Sequence, residues 1–126
     1  MYKYVKNLSY PVNITKKDLK MAKLIITQVG GFAGELGATL RYFSQKYTMP
    51  DERGRALLND IACEEIGHLE MVGTMVHQLM SNATIDEIKE AGLEEYYTEH
   101  GKGIYPSSAT GVPFDASIFA VTGDPL

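Results

Sequence analysis

The chain has 126 residues, of which 44% are hydrophobic, so it has the length and the apolar content to bury the core of one ordinary domain. This composition argues against a disordered protein. The formal net charge of -4 comes from acidic residues spread along the chain. No basic stripe is present that could neutralise a row of phosphates, so we expect no nucleic-acid partner.

The sequence also argues against insertion into a membrane. No stretch approaches the roughly 18 apolar residues needed to span a bilayer, and residues 1–14 lack the apolar core of a signal peptide. We therefore expect a soluble, cytoplasmic protein without a membrane partner. The single cysteine, Cys63, has no cysteine at disulfide or metal-ligand spacing, and we interpret it as a small buried side chain.

An extended arm and a long helix are predicted for the first part of the chain. Residues 1–14 mix aromatic side chains with Pro11 and Asn13, which is typical of an extended arm. Thr15 is a candidate N-cap, and the helix that follows is placed at about 16–47 because its apolar residues recur at spacings of three and four. These residues are Leu19, Ala22, Ile25, Ile26, Val29, Phe32, Ala33, Leu36, Leu40 and Phe43.

Four glycines surround an acidic residue within this predicted helix. Gly30, Gly31, Gly34 and Gly37 each cost roughly 1 kcal/mol of helix propensity relative to alanine. Such residues indicate that another element approaches the backbone closely. We therefore expect tight packing near Glu35.

A second long helix is predicted at about 51–81, after a short break. Pro50 disfavours helix at Met49 but is well placed to begin the next helix. Residues 16–81 therefore form a predicted helical hairpin. The apolar stripe of the second helix consists of Leu57, Leu58, Ile61, Leu69, Val72, Met75, Val76 and Leu79.

The remaining residues predict a short helix and a long arm. Thr84 and Glu87 form a capping box for a helix at 84–91, and Gly92 is its C-terminal stop. Glycines and prolines punctuate residues 93–126, which predicts a loop arm that covers a site or reaches a neighbour. The predicted fold is all-α, with a helical hairpin and a long C-terminal loop arm.

The second helix contains a Glu-x-x-His motif. Glu65 and His68 are one turn apart on the same helix face and can converge on one metal ion. Glu64 is the alternative ligand, but it lies about 100 degrees around the helix from Glu65 and outside the spacing of the motif. An isolated match is weak evidence, because a solvated glutamate near a surface histidine has the same spacing.

Glu35 strengthens this motif because it is an acid inside the apolar stretch GGFAGELGATL, where a charge is costly without a partner. It lies 15 residues before Pro50, and Glu65 lies 15 residues after Pro50. Each is then about 20 Å from the turn at roughly 1.5 Å per residue, so the two are level in an antiparallel hairpin.

One glutamate level with Glu-x-x-His is half of the inward-facing ligand set of di-iron and di-manganese four-helix bundles. Oxygen and imidazole ligands without thiolate suit manganese or iron. The predicted metal ligands are Glu35, Glu65 and His68, and the alternative is a charged surface without metal. Tyr42 is two turns from Glu35 on the same face, so it either reaches the site or is an ordinary core tyrosine.

Three segments resemble the ferritin-like manganese catalases, and most closely their spore-coat branch, the CotJC-type proteins of endospore-forming bacteria. The segments are GGFAGELGATLRYFSQKYTMPD, LLNDIACEEIGHLEMVGTMVHQL and ATGVPFDASIFAVTGDP. The resemblance implies that Glu35 is a terminal ligand, that Glu65 bridges two manganese ions and that His68 binds the first ion. Tyr42 would donate a hydrogen bond behind the ligands. The implied reaction converts two molecules of hydrogen peroxide to oxygen and water, while the metal pair cycles between di-Mn(II) and di-Mn(III).

Members of this family continue past the GDP motif into two more helices that bring another glutamate and another histidine, whereas this sequence stops at Leu126. It is therefore a shortened form, a natural fragment that pairs with another chain, or a hairpin that pairs with itself. In each case we expect association, because a lone hairpin exposes the apolar faces of both long helices.

Three functions follow from these patterns. The first is a manganese catalase acting on hydrogen peroxide once the other half of the site is supplied. The second is a structural component of the spore coat, assembled with other coat proteins and carrying a vestigial metal site. The third is a homodimeric ferritin-like protein that binds iron. The fold alone does not separate them.

Overall fold

The structure is a computed structural model that describes residues 11–31 and 33–93. Within these ranges the chain forms helices and no strand, which confirms the all-α prediction. Residues 1–10 of the arm predicted at 1–14, and residues 94–126 of the arm predicted at 93–126, lie outside the described residues. The α-helices are α1 (Leu19–Gly30), α2 (Glu35–Gln45), α3 (Glu52–Leu79) and α4 (Ile85–Glu90), with a 3-10 turn at Lys46–Thr48 between α2 and α3.

The prediction of one continuous helix at 16–47 is wrong, because a glycine turn divides it into two helices. α1 ends at Gly30 and α2 begins at Glu35. Gly31 and Gly34 both have extended backbone, with ψ angles of -177 and 172 degrees. The chain leaves the helical conformation at these glycines, where its helix propensity is lowest. The break was not predicted because the apolar periodicity continues across it.

The first helix also begins later than Thr15 predicts. The N-cap is Asp18, whose carboxylate accepts a hydrogen bond from the backbone N–H of Met21 at 3.0 Å. The backbone N–H of Asp18 donates to the carbonyl of Leu79 at 2.9 Å. Threonine and aspartate are both good N-caps, and this bond to the end of α3 places the start of the helix at Asp18.

The two arms of the chain form an antiparallel hairpin, in which α1 and α2 both pack against α3. Near the turn, the Lys46 ammonium donates to Asn59 Oδ1 at 2.8 Å, and at the far end Asp18 bonds Leu79. The N-cap of α3 is Asp51, which accepts from the N–H of Gly54 at 2.8 Å. No helix among the described residues is long and apolar enough to cross a membrane.

The apolar core lies at the end of the hairpin remote from the turn, where α1, the C-terminal half of α3 and the segment around α4 meet. Its largest fully buried side chains are those of Ile26, Val76 and Leu93. Each such side chain contributes about 1.5–3 kcal/mol to stability when it is buried completely. The core therefore anchors the hairpin at the end opposite the 3-10 turn.

α4 has the ends that the sequence predicts. Thr84 Oγ1 accepts from the N–H of Glu87 at 3.2 Å, and the Glu87 carboxylate accepts from the N–H of Thr84 at 2.7 Å, so the capping box is complete. Gly92 has a φ angle of 69 degrees, the left-handed conformation that glycine adopts after a helix. Glu87 also bonds Lys17 at 2.6 Å, which links α4 to the segment before α1.

Gln78 holds the segment that precedes α1. Its side-chain Oε1 accepts from the backbone N–H of Ile14 at 2.6 Å, and its Nε2 donates to the carbonyl of Val12 at 2.8 Å. A glutamine amide carries the same donor and acceptor as a peptide group. The side chain therefore binds this segment as a neighbouring strand would.

Candidate metal centre

The structure brings together the three side chains that the sequence analysis selects as ligands. His68 Nδ1 lies 2.9 Å from Oε2 of Glu65 and 3.7 Å from Oε2 of Glu35. One carboxylate oxygen or ring nitrogen from each residue lies within 4.8 Å of the others. Two carboxylates and one imidazole therefore converge on a space of the size that one metal ion needs.

Local structure explains this convergence. Glu65 and His68 are three residues apart on α3, so their side chains emerge from the same face one turn apart. Glu35 is the first residue of α2, which packs closely against α3. Glu64 is exposed and is not a member of the group, as its position around the helix predicts.

The three side chains differ in their exposure to solvent. The side chains of Glu65 and Glu35 are 16% and 26% exposed, whereas the His68 ring is 43% exposed. The carboxylates are thus largely shielded by the two helices, and the imidazole is at the open side of the cluster. Among residues 11–31 and 33–93, nothing adds a fourth ligand to this group.

The pKa values of the two glutamates are shifted in opposite directions. Burial raises the pKa of Glu35 to about 7, and both the hydrogen bond with Glu65 and the negative charge of Glu65 act in the same direction. Burial also opposes ionisation of Glu65, but hydrogen bonds from Glu35 and His68 outweigh it and lower the pKa of Glu65. The hydrogen bond to Glu65 raises the pKa of His68.

These shifts describe a crowded acidic site. Two neighbouring carboxylates cannot both ionise easily in a shielded place, which favours the protonated form of Glu35, and the neighbouring carboxylates favour the charged form of His68. A divalent cation would provide the same compensation. The donors are oxygen and nitrogen without a thiolate, a set that fits manganese or iron. The residues present therefore fit a site for such a metal ion.

Thr39 is a site-supporting residue that the sequence analysis did not identify. It is buried, and its hydroxyl donates to the backbone carbonyl of Glu35 at 2.9 Å, so it contacts the candidate ligand across the first turn of α2. The signal was its spacing, because a threonine four residues after Glu35 is placed to bond back to that carbonyl.

The other residues discussed above lie away from the cluster or are not drawn into it. Tyr42 is half-buried on α2, and its hydroxyl makes no hydrogen bond within the described part of the chain. Of the other two histidines, His77 is exposed on α3 and His100 lies outside the described residues. The prediction of a buried Cys63 is wrong, because the residue is half-buried on the side of α3 opposite Glu65. Its sulfur lies 4.0 Å from the side-chain amide of Asn59.

Comparison with known proteins identifies relatives along the whole chain. Residues 1–126 match the family model described as manganese containing catalase. The chain is 45% identical over 126 residues to the protein CotJC of Bacillus subtilis, covering all of this chain and 66% of that protein. It is 31% identical over 139 residues to a manganese catalase of Bacillus subtilis, of which it covers 51%.

A solved structure shares the fold. The crystal structure of KatB, a manganese catalase from Anabaena, superposes with a TM-score of 0.81 at 31% identity and covers 98% of this chain. The chain covers 55% of KatB, so it spans between about half and two thirds of the length of these relatives. Because the family model matches from the first residue to the last, the chain belongs to the manganese-containing catalase family.

Proposed function

We propose that this chain carries half of a two-manganese centre and that, with the other half supplied, it converts hydrogen peroxide to oxygen and water. The observation that carries the proposal is the convergence of Glu35, Glu65 and His68 within 4.8 Å. Membership of the family and similarity to two proteins named manganese catalases support it.

Each ligand has a role that its position supports. Glu65 is the most shielded of the three and lies between the other two in hydrogen bonding, which suits a carboxylate that bridges two ions. Glu35 and His68, whose ligand atoms lie 3.7 Å apart, would each hold one ion. Tyr42 is proposed to donate its hydroxyl hydrogen bond toward the site once the second half of the bundle is in place.

The bound metals would supply the electron transfer, in which one peroxide is oxidised to oxygen while the second is reduced to two molecules of water. The chain's own residues bind the metals and shield them from water on the side covered by α2 and α3. The side of the cluster at His68 is exposed to solvent, so we propose that another element covers this side. We propose that a second copy of this chain, another chain or a continuation of this one provides the missing ligands.

A second candidate function is favoured by the 45% identity to CotJC. In that case the chain is a structural component of a spore coat, located there with other coat proteins, and the metal cluster only stabilises the fold or is vestigial. Both candidates predict a metal-compatible cluster. They differ in whether bound metal turns over peroxide.

The experiment that separates them is peroxide turnover by purified protein of known intact mass and metal content. With the other half of the site supplied, a catalase requires oxygen release that rises in proportion to bound manganese. Bound manganese without turnover in that assembled state supports the coat component. Iron as the bound metal, with ferrous oxidation in place of oxygen release, would support a ferritin-like function instead. Absence of any bound metal after loading with Mn(II) or Fe(II) would contradict the proposal.

A further inference from the structure

The glycine turn between α1 and α2 brings the two helices unusually close immediately before Glu35. Gly31 and Gly34 are extended, and the N–H of Gly34 donates to the carbonyl of Gly31 at 2.9 Å. The next residue, Glu35, is the first of α2. The position of its carboxylate therefore depends directly on how the chain turns at residue 34.

A side chain at residue 34 would not fit. A Cβ atom there would lie 2.9 Å from each of three atoms, namely the carbonyl oxygen of Gln28 and the backbone nitrogens of Gly30 and Gly31. All three belong to the backbone, so they cannot move aside by a change of rotamer. The φ angle of Gly34 is -82 degrees, which other residues adopt freely. The requirement for glycine thus arises from close approach alone.

The N-cap position of α2 shows the cost of this arrangement. Serine, threonine, aspartate or asparagine at an N-cap accepts a hydrogen bond from the first turn, which stabilises a helix by about 0.5–2 kcal/mol relative to alanine. Gly34 occupies the N-cap and provides no such bond. The chain forgoes a side-chain cap at the one helix start that carries a candidate ligand, whereas Asp18, Asp51 and Thr84 cap the other three.

From this geometry we infer that Gly34 is a positioning residue for Glu35: by letting the start of α2 lie against the last turn of α1, it places the Glu35 carboxylate beside Glu65 and His68. The expected effect on metal binding rests on the proposed metal function, whereas the effect on the position of Glu35 does not. Metal ligands must be held within about 0.5 Å of their productive places, so a shift large enough to accommodate a methyl group would separate Glu35 from the cluster.

The test compares Gly34→Ala with Gly54→Ala in the whole 126-residue chain. Gly54 lies in the first turn of α3, 11 residues before Glu65, and a Cβ there would lie 3.2 Å from Cβ, Cγ and Sδ of Met49, a longer contact than at residue 34 and one with a side chain in place of backbone. Both variants add the same methyl group. Crystal structures of the metal-free proteins give the distance from Glu35 Oε2 to His68 Nδ1, and titration with Mn(II) gives the dissociation constant.

We expect the separation of 3.7 Å to increase in Gly34→Ala and to persist in Gly54→Ala. Mn(II) should bind Gly34→Ala about tenfold to a hundredfold more weakly, the range seen when residues that orient ligands are changed. Gly54→Ala should bind like the parent protein. An unchanged separation in Gly34→Ala would overturn the inference, whatever happens to metal binding.

The two proposals fail differently. If the parent protein binds no manganese but Glu35 moves in Gly34→Ala, the proposed function is contradicted and the positioning role stands. If Gly34→Ala does not fold, a variant with one glycine inserted between Ala33 and Gly34 replaces it, since that change lengthens the turn without adding a Cβ. A cluster that keeps its distances in the insertion variant would also refute the positioning role.

Discussion

His68 Nδ1 lies 2.9 Å from Oε2 of Glu65, so the imidazole and the carboxylate one turn before it are hydrogen-bonded to each other. A metal that binds both groups must replace the proton between them. Metal binding to such a pair releases protons, and it requires the histidine to be neutral and the glutamate ionised.

Glu65→Gln is expected to abolish metal binding, whereas Glu64→Gln should retain it. The amide of glutamine has no charge to offer a cation and cannot bridge two ions, and Glu65 is the carboxylate within the cluster. Glu64 is exposed and serves as a matched neighbour that carries the same charge. Metal content after loading with Mn(II) and desalting provides the measurement. Equal loss in the two variants would show that the wrong glutamate is assigned.

Metal affinity should decrease as the pH falls below about 7. The pKa of Glu35 is raised from 4.5 to about 7, so its carboxyl holds a proton below that pH, and the raised pKa of His68 adds a second competing proton. Each proton released on binding lowers the affinity by up to about tenfold per pH unit. Titration with Mn(II) between about pH 6 and pH 8 measures this slope. A slope near zero in the parent chain would contradict the prediction.

The metal-free chain should show the opposite dependence in its stability. Because the folded state holds a proton on Glu35 that the unfolded state has lost above pH 4.5, the contribution of Glu35 to the free energy of unfolding declines as the pH rises from about 4.5 to 7. Urea unfolding across this range measures the effect. Glu35→Gln removes the titrating group and should flatten this part of the profile. A parent profile that rises steadily over the same range would be inconsistent with a raised pKa.

Ile26→Ala is expected to destabilise the chain by about 2–5 kcal/mol, because it leaves a cavity in the core. Ile26 is fully buried, whereas Leu24, two residues earlier on α1, is 66% exposed. Leu24→Ala should change the free energy of unfolding by about 0.5 kcal/mol or less. Denaturant unfolding of the two variants provides the comparison, and similar losses in both would mean that α1 packs with a different face inward.

Peroxide turnover by this 126-residue chain should depend on a partner, because the three candidate ligands found among residues 11–31 and 33–93 leave a second metal without its own glutamate and histidine. If two copies pair about a two-fold axis, the same patch meets itself and the half-sites combine. Turnover and metal content should then fall together as the protein is diluted. Sedimentation alongside oxygen release over a dilution series tests this, and a stable monomer with full activity would refute it.

The sequence was sufficient to predict the all-α fold and the convergence of the candidate ligands. The apolar stripes define the hairpin, and the equal distances of Glu35 and Glu65 from Pro50 place them level, since helix rise is constant. The capping box at Thr84 could also be predicted, because capping depends only on a few neighbouring residues.

The errors occurred where distant contacts decide the local structure. A periodic apolar pattern continues through Gly31 and Gly34, so periodicity could not reveal the turn that close packing of two backbones imposes. The choice of Asp18 over Thr15 as N-cap depends on a backbone bond to Leu79, far along the chain. The role of Tyr42 stays a prediction, since its proposed partners lie beyond the described helices.

The amide of Gln78 has a consequence for the order in which the molecule assembles during synthesis. Val12 and Ile14 are bonded through this side chain, which lies 66 and 64 residues further along the chain. The segment before α1 therefore emerges from the ribosome long before its binding partner exists. Its docking is a late event that requires a nearly complete α3, so protection of the Ile14 amide from hydrogen exchange on stalled nascent chains would report when the hairpin has closed.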